Sequence, residues 1–222
     1  VHVLERLLAY ADTYGPAIPL AFIFFIFKIK QMPRVMTILS WYLLSSVVIF
    51  GISNYMADRR INNLFLYHLF CVVELSFLLF LFREIIQSEK IRKSIPLLLL
   101  LFVLLFVLNS IFLEQMNSWN SNSASIEFLI IICFSFIYYF ELANSDAILS
   151  FSTNAFFWIV SGLFVYCASC SIVFAFYKYA APSNGNFTLN FWMFQIIMYL
   201  VKNILITKGI LCFKARKSIS PL

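Results

Sequence analysis

Ile95–Leu113 reads IPLLLLLFVLLFVLNSIFL, an unbroken apolar stretch without a single charge. At 1.5 Å per residue a helix of this length rises roughly 28 Å, close to the ~30 Å thickness of bilayer hydrocarbon. A helix that is apolar all round has no polar face to turn toward water. Working outward from it, three further apolar runs precede it and three follow. The earlier ones are Tyr14–Phe27, Val35–Met56 and Ile61–Phe82. The later ones are Ala124–Leu142, Ala155–Phe176 and Leu189–Phe213. The first is short and carries Pro16 and Pro19, and residues from about Ala9 extend it. The expectation is an all-α fold: one polytopic transmembrane bundle of seven helices covering residues 1–222, multi-pass in a cytoplasmic (inner) membrane.

Composition agrees. The chain is 63% hydrophobic and 12% charged, with a mean hydropathy of +0.92. Soluble domains are nearer half apolar and a quarter charged, and cannot hide this much apolar surface. The lipid bilayer is therefore the first partner. The net charge of +6 suggests a nucleic-acid binder only until its carriers are located, and no nucleic-acid motif is present.

Basic residues cluster between alternate runs. Lys28, Lys30 and Arg34 follow the first, Arg83, Lys90, Arg92 and Lys93 follow the third, and Lys208, Lys214, Arg216 and Lys217 close the chain. The other side holds Arg6, Arg59, Arg60 and Lys178. By the positive-inside rule this predicts the N-terminus outside and the C-terminus inside, with 214–222 a short basic cytoplasmic tail. Val1–Ala11 reads as an interfacial helix. The loops Glu114–Ser123 and Ala180–Asn190 are then outside, and Ala143–Asn154 inside. No loop is long enough for an effector domain. Spans five to seven repeat features of spans one to three around the fourth: WYLLSS matches FWIVSG, and NNLFLYH matches LNFWMFQ.

One basic residue, Lys202, falls near the middle of a span. It and Glu74 each lie about 13 residues from the outer end of their span, near mid-membrane and at matching depth. A charge there costs about 2.5–3.5 kcal/mol on insertion scales, so both should face the bundle interior and could pair. Helical spacing places Gln195, Tyr199 and Lys202 on one face, with Asn203 alongside. Glu127, Ile131, Phe134, Tyr138 and Glu141 line another, and Trp158, Ser161, Gly162, Tyr166 and Ser169 a third. The functional reading is a small-molecule or ion pocket in the outer half, bounded by His68, Glu74, Tyr166, Gln195, Tyr199 and Lys202. The structural reading is a buried pair, or a snorkelling Lys202, among interhelical hydrogen bonds. Glu127, Tyr138, Trp158, Gly162 and Asn203 are read as packing positions.

Several chemistries find no support. Cys167 and Cys170 form a CxxC, but inside a span and without partner ligands, so they read as small packing residues. No metal or cofactor site is expected. No hydrolase, zinc-protease or nucleotide-loop motif occurs, and no catalytic residue is assigned. A lysine in the last helix with a carboxylate in the third invites comparison with microbial rhodopsins, where the lysine would hold retinal as a Schiff base. Met198 stands where those proteins carry an aspartate, and span three lacks their arginine and Trp–Thr arrangement.

NNLFLYHLFCVVELSFLLF, IEFLIIICFSFIYYFEL, NAFFWIVSGLFVYCASCSIVF and IMYLVKNILITKGILCFKARK resemble a family of small seven-helix integral membrane proteins of Bacteroidetes bacteria. The resemblance draws interest to Glu74, Glu127, Trp158, Gly162, Tyr166 and Asn203, and implies a sensory module encoded near signalling genes. The expected function is a receptor-like module signalling to a separate partner such as a histidine kinase. The alternative is a small transporter or proton-coupled carrier using the midplane Glu/Lys pair.

Overall fold

The computed structural model describes residues 10–11, 13–145, 152–180 and 185–219, apart from the side chains of 176–180, 185–189 and 214–219. Most of the proposed interfacial helix 1–11, the side chains of the basic tail and part of both later loops lie outside the described residues.

Seven helices are present among the described residues, and no strand: α1 (Ala17–Ile26), α2 (Arg34–Asp58), α3 (Leu64–Ile85), α4 (Glu89–Phe112), α5 (Asn122–Ala143), α6 (Ala155–Ala180) and α7 (Gly185–Ile219). Six of them contain segments long and apolar enough to cross a membrane, and α1 is shorter. The chain is thus a multi-pass helical membrane bundle. The expected first span is interrupted: residues 13–14 are helical, but a turn at Gly15–Pro16 precedes α1. Pro19 lacks the N–H that would continue the ladder to the Gly15 carbonyl, so the preceding turn closes through Ile18 instead. Helix α4 starts six residues before the expected apolar run. Ser88 precedes its first turn and the Lys93–Glu89 pair, 2.8 Å, lies along it, so polar residues join the helix at the interface. Helix α7 runs further at both ends than expected, to 35 residues.

Helix neighbours follow the order α1, α2, α3, α5, α6, α7 and back to α1, a closed ring; α4 lies outside it against α3 and α5. This explains the leucines of α4. Leu97, Leu100, Leu101, Leu104, Leu105 and Leu108 are all about half exposed, so the helix whose sequence announces the membrane is the one that faces it most. Contacts also fix the two ends. Arg34 pairs with Glu84 at 3.2 Å, Glu141 accepts from the Gln87 and Ser88 amides at 2.7 and 2.9 Å, and Phe213 packs on Phe27 and Phe156. Lys28, Lys30, Arg34, Arg83, Lys90, Arg92, Lys93 and Lys208 therefore gather at one end, here the basic end. At the opposite end α2 stops in a Schellman turn: Arg60 adopts φ 59°, and the Arg60 and Ile61 amides donate to Ala57 and Met56.

The α4–α5 connection is also at the opposite end and is built on Glu114, 4% exposed. Its carboxylate accepts from the Ser121 amide at 2.9 Å, the Asn122 amide at 3.2 Å and Asn109 Nδ2 at 3.1 Å. It caps the N-terminus of α5, where a negative charge is favoured by the helix dipole. Glu114→Gln removes that charge and one acceptor, so we expect a loss of about 1–2 kcal/mol of stability. Reversible unfolding in mixed micelles measures it; an unchanged midpoint would mean the cap is not needed.

Candidate functional site

A helix buries residues three or four apart, and α2, α3 and α7 each direct such a stripe at the ring's interior. The α2 stripe includes Leu39, Tyr42, Ser46 and Phe50, and the α3 stripe Cys71, Glu74, Leu75 and Leu78. Lys202 and Asn203 on α7 are 1% and 3% exposed. Helices α3 and α7 stand opposite one another in the ring, and their charges meet across it: Lys202 Nζ is 3.4 Å from Glu74 Oε1. Tyr42 bridges them. Its hydroxyl donates to Glu74 Oε1 at 2.7 Å and accepts from Lys202 Nζ at 2.7 Å. The ammonium also lies 4.0 Å from the Tyr199 ring centroid and 4.5 Å from that of Tyr166, where the ring quadrupoles attract a cation. Lys202 therefore does not snorkel to an interface; it turns inward and is fully enclosed. Burying two charges costs several kcal/mol each, which only close pairing and added hydrogen bonds offset.

Glycine makes the approach possible. A Cβ at Gly162 would lie 2.8 Å from the Lys202 carbonyl oxygen and 3.1 Å from Leu205 Cβ. Helix α6 thus presses directly on α7 at the charged residue. Gly15, beside the break before α1, leaves room for Asn203, whose amide would lie 3.3 Å from a Cβ there. Asn203 Nδ2 donates to the Tyr199 carbonyl at 2.9 Å.

Next to the cluster is a cavity of about 50 Å³ lined by Glu74, Glu127, Tyr166, Gln195, Tyr199, Asn120 and Trp119, among others. It joins four of the six expected pocket residues. Lys202 stands behind Glu74 rather than on its wall. His68 does not reach it either: fully buried, its Nε2 lies 2.9 Å from the Ser118 carbonyl oxygen, which ties α3 to the α4–α5 connection. Glu127, read from sequence as packing, lines the cavity. Tyr138 and Trp158 belong to the basic half, where Tyr138 donates to Asn154 at 3.4 Å and Trp158 donates to the Ser152 carbonyl at 3.0 Å beneath Lys208.

Tyr42, Trp119 and Asn120 were not anticipated as contributors. The Asn/Ser-rich connection folds over the ring rather than standing away from it. Trp119 packs its ring against Tyr67, Phe174 and Phe191 with centroids 5.8, 6.0 and 5.9 Å away. Beyond it a larger recess of about 650 Å³ opens, lined in part by Tyr10, Asn54, Asp58, Asn63 and Trp192. Tyr67 and Trp119 line both spaces, so these two rings form the partition between them.

Cys71 lines the inner cavity and is 3% exposed, which makes it a reporter. In a chain with Cys71 as the sole cysteine, Trp119→Ala should raise its reaction rate with a small charged thiol reagent about tenfold, equivalent to ~1.4 kcal/mol of easier access. Equal rates in both proteins would show that Trp119 does not separate the spaces.

A space of about 50 Å³ accommodates small ions or a few waters, against roughly 300 Å³ or more for pockets holding drug-sized ligands. Retinal would not fit in it. No protein-family model, curated protein or solved structure matches the chain.

Proposed function

We propose that the chain is a receptor-like membrane module in which the arrangement around Glu74, Tyr42 and Lys202 sets the position of α7, and a separate protein reads the basic end of that helix. The observation that carries this reading is the continuity of α7. Lys202 sits in the same uninterrupted helix that runs to Ile219. At 35 residues this helix is about 52 Å long, well beyond the ~30 Å of hydrocarbon. A shift at the central lysine is carried rigidly to an end rich in Lys and Arg. With that end in the cytoplasm, as the positive-inside rule directs, the partner is a signalling protein such as a histidine kinase. The resemblance to small seven-helix proteins encoded near signalling genes supports the same reading by association. A ligand would act by favouring one of two packings.

Spin labels at Ser94 on α4 and Leu211 on α7, both exposed, test the idea in reconstituted protein. The double variant Glu74→Gln, Lys202→Met should shift the distance distribution between them. An unchanged distribution would remove the mechanical link on which the reading stands.

A proton-coupled carrier is the second reading. It is favoured by the second buried carboxylate, Glu127, on a cavity bordering an outer recess, and by the break at Gly15–Pro16 beside Asn203, since interrupted helices are common at carrier sites. Solute flux into proteoliposomes that disappears in Glu74→Gln would select it over the receptor.

A further inference from the structure

Glu127 is 2% exposed and faces the cavity. Its Oε1 has no hydrogen-bond partner, and the Cys71 thiol beside it is a weak donor. Among the described residues Glu127 forms no ion pair; the charge of Lys202 is already matched by Glu74. Two more buried acceptors on residues that line the cavity are also without donors, Asn120 Oδ1 and Gln195 Oε1, and Asn120 is 5% exposed. Asn120 has committed its Nδ2 to the Tyr67 carbonyl, leaving the oxygen free to face inward. Three oxygen acceptors thus share a space of about 50 Å³. Water could donate to them, but water brings no charge to offset a desolvated carboxylate. Oxygen-only ligation suits hard cations, and one uncompensated carboxylate calls for one positive charge.

We propose that this cavity binds a single monovalent cation, an alkali ion or a proton, between Glu127, Asn120 and Gln195, reached from the opposite end past Tyr67 and Trp119. The site is a property of the chain whether its response is signalling or transport. The titratable groups around Glu127 are Tyr67, Cys71 and Glu74 on α3, Tyr166 on α6, and Tyr199 and Lys202 on α7.

The test uses the full chain purified in detergent. Thermal unfolding is followed in lithium, sodium, potassium and choline chlorides at equal ionic strength, and across pH, for the wild type and Glu127→Gln. An alkali ion at the site raises the midpoint with the logarithm of its concentration above the Kd, choline does not, and Glu127→Gln abolishes the response. A midpoint indifferent to the alkali ions but dependent on pH, with that dependence lost in Glu127→Gln, identifies the proton as occupant. A wild type indifferent to both, or a response that survives in Glu127→Gln, overturns the proposal. Should Glu127→Gln fail to fold, Gln195→Met should raise the half-effective concentration of the occupant about tenfold; no change there overturns it equally.

Discussion

Lys202→Met should destabilise the bundle by about 3–5 kcal/mol, and adding Glu74→Gln should restore most of that loss. The single change strands Glu74, buried at 7% exposure, with only the Tyr42 hydroxyl to stabilise its charge. The double change leaves a neutral amide that still accepts from Tyr42 and a methionine that fills the lysine's path between Tyr166 and Tyr199. Breaking one partner of a buried pair is costly; replacing both with groups of similar volume is often close to neutral. The cycle isolates the coupling because the residues are in contact. Tyr42→Phe is a useful third arm: it removes the bridging hydroxyl while keeping the ring, and should cost about 1–3 kcal/mol. Unfolding in mixed micelles reads all variants. A double variant as unstable as the sum of the singles would mean that Glu74 and Lys202 do not stabilise one another.

The two charges of this cluster were legible in the sequence, and the neutral residue joining them was not. Charge at mid-membrane is expensive enough that its position alone implies an inward face, and matched depths implied that Glu74 and Lys202 meet. Tyr42 carries no such penalty. A tyrosine in a span is ordinary, and only the register between α2 and α3 shows that its hydroxyl falls between the pair. Depth likewise placed His68 and Gln195 together. Azimuth separates them: His68 points to the α4–α5 connection, and Gln195 into the cavity. That connection was the least readable part. Asparagine and serine describe a loop's polarity and not its path, and the path is decided by one aromatic, Trp119, finding Tyr67, Phe174 and Phe191. The separation of α4 from the ring has a sequence correlate in its uniform leucine surface, since a helix packed on all sides would carry small residues where backbones approach. Glycine supplies that signal on the helices that do approach closely.

Gly162→Ala and Gly51→Ala should therefore shift stability in opposite directions. Each replaces a glycine inside a helix, where alanine is intrinsically better by about 1 kcal/mol. At Gly51 nothing lies within 4 Å of the added carbon, so that gain is realised. At Gly162 the same carbon meets the Lys202 carbonyl oxygen at 2.8 Å and Leu205 Cβ at 3.1 Å. A backbone oxygen inside a helix cannot swing aside as a side-chain tip can. Helices α6 and α7 must part, and overpacking of this kind costs about 1–3 kcal/mol, outweighing the propensity gain. Gly209→Ala should behave like Gly162→Ala, because its carbon would meet the Ala155 carbonyl oxygen and Ile159 Cγ1, both at 2.6 Å. The position of Gly162 gives the effect a second consequence. Tyr166, one turn along α6, supplies a ring face to the Lys202 ammonium, so parting the helices weakens that contact as well. The receptor reading then expects Gly162→Ala to move the basic end of α7 in the spin-label experiment, and Gly51→Ala to leave it in place. A Gly162→Ala protein as stable as Gly51→Ala would mean that α6 and α7 have slack at the charged centre, and a helix with slack there could not carry a displacement of Lys202 to its far end.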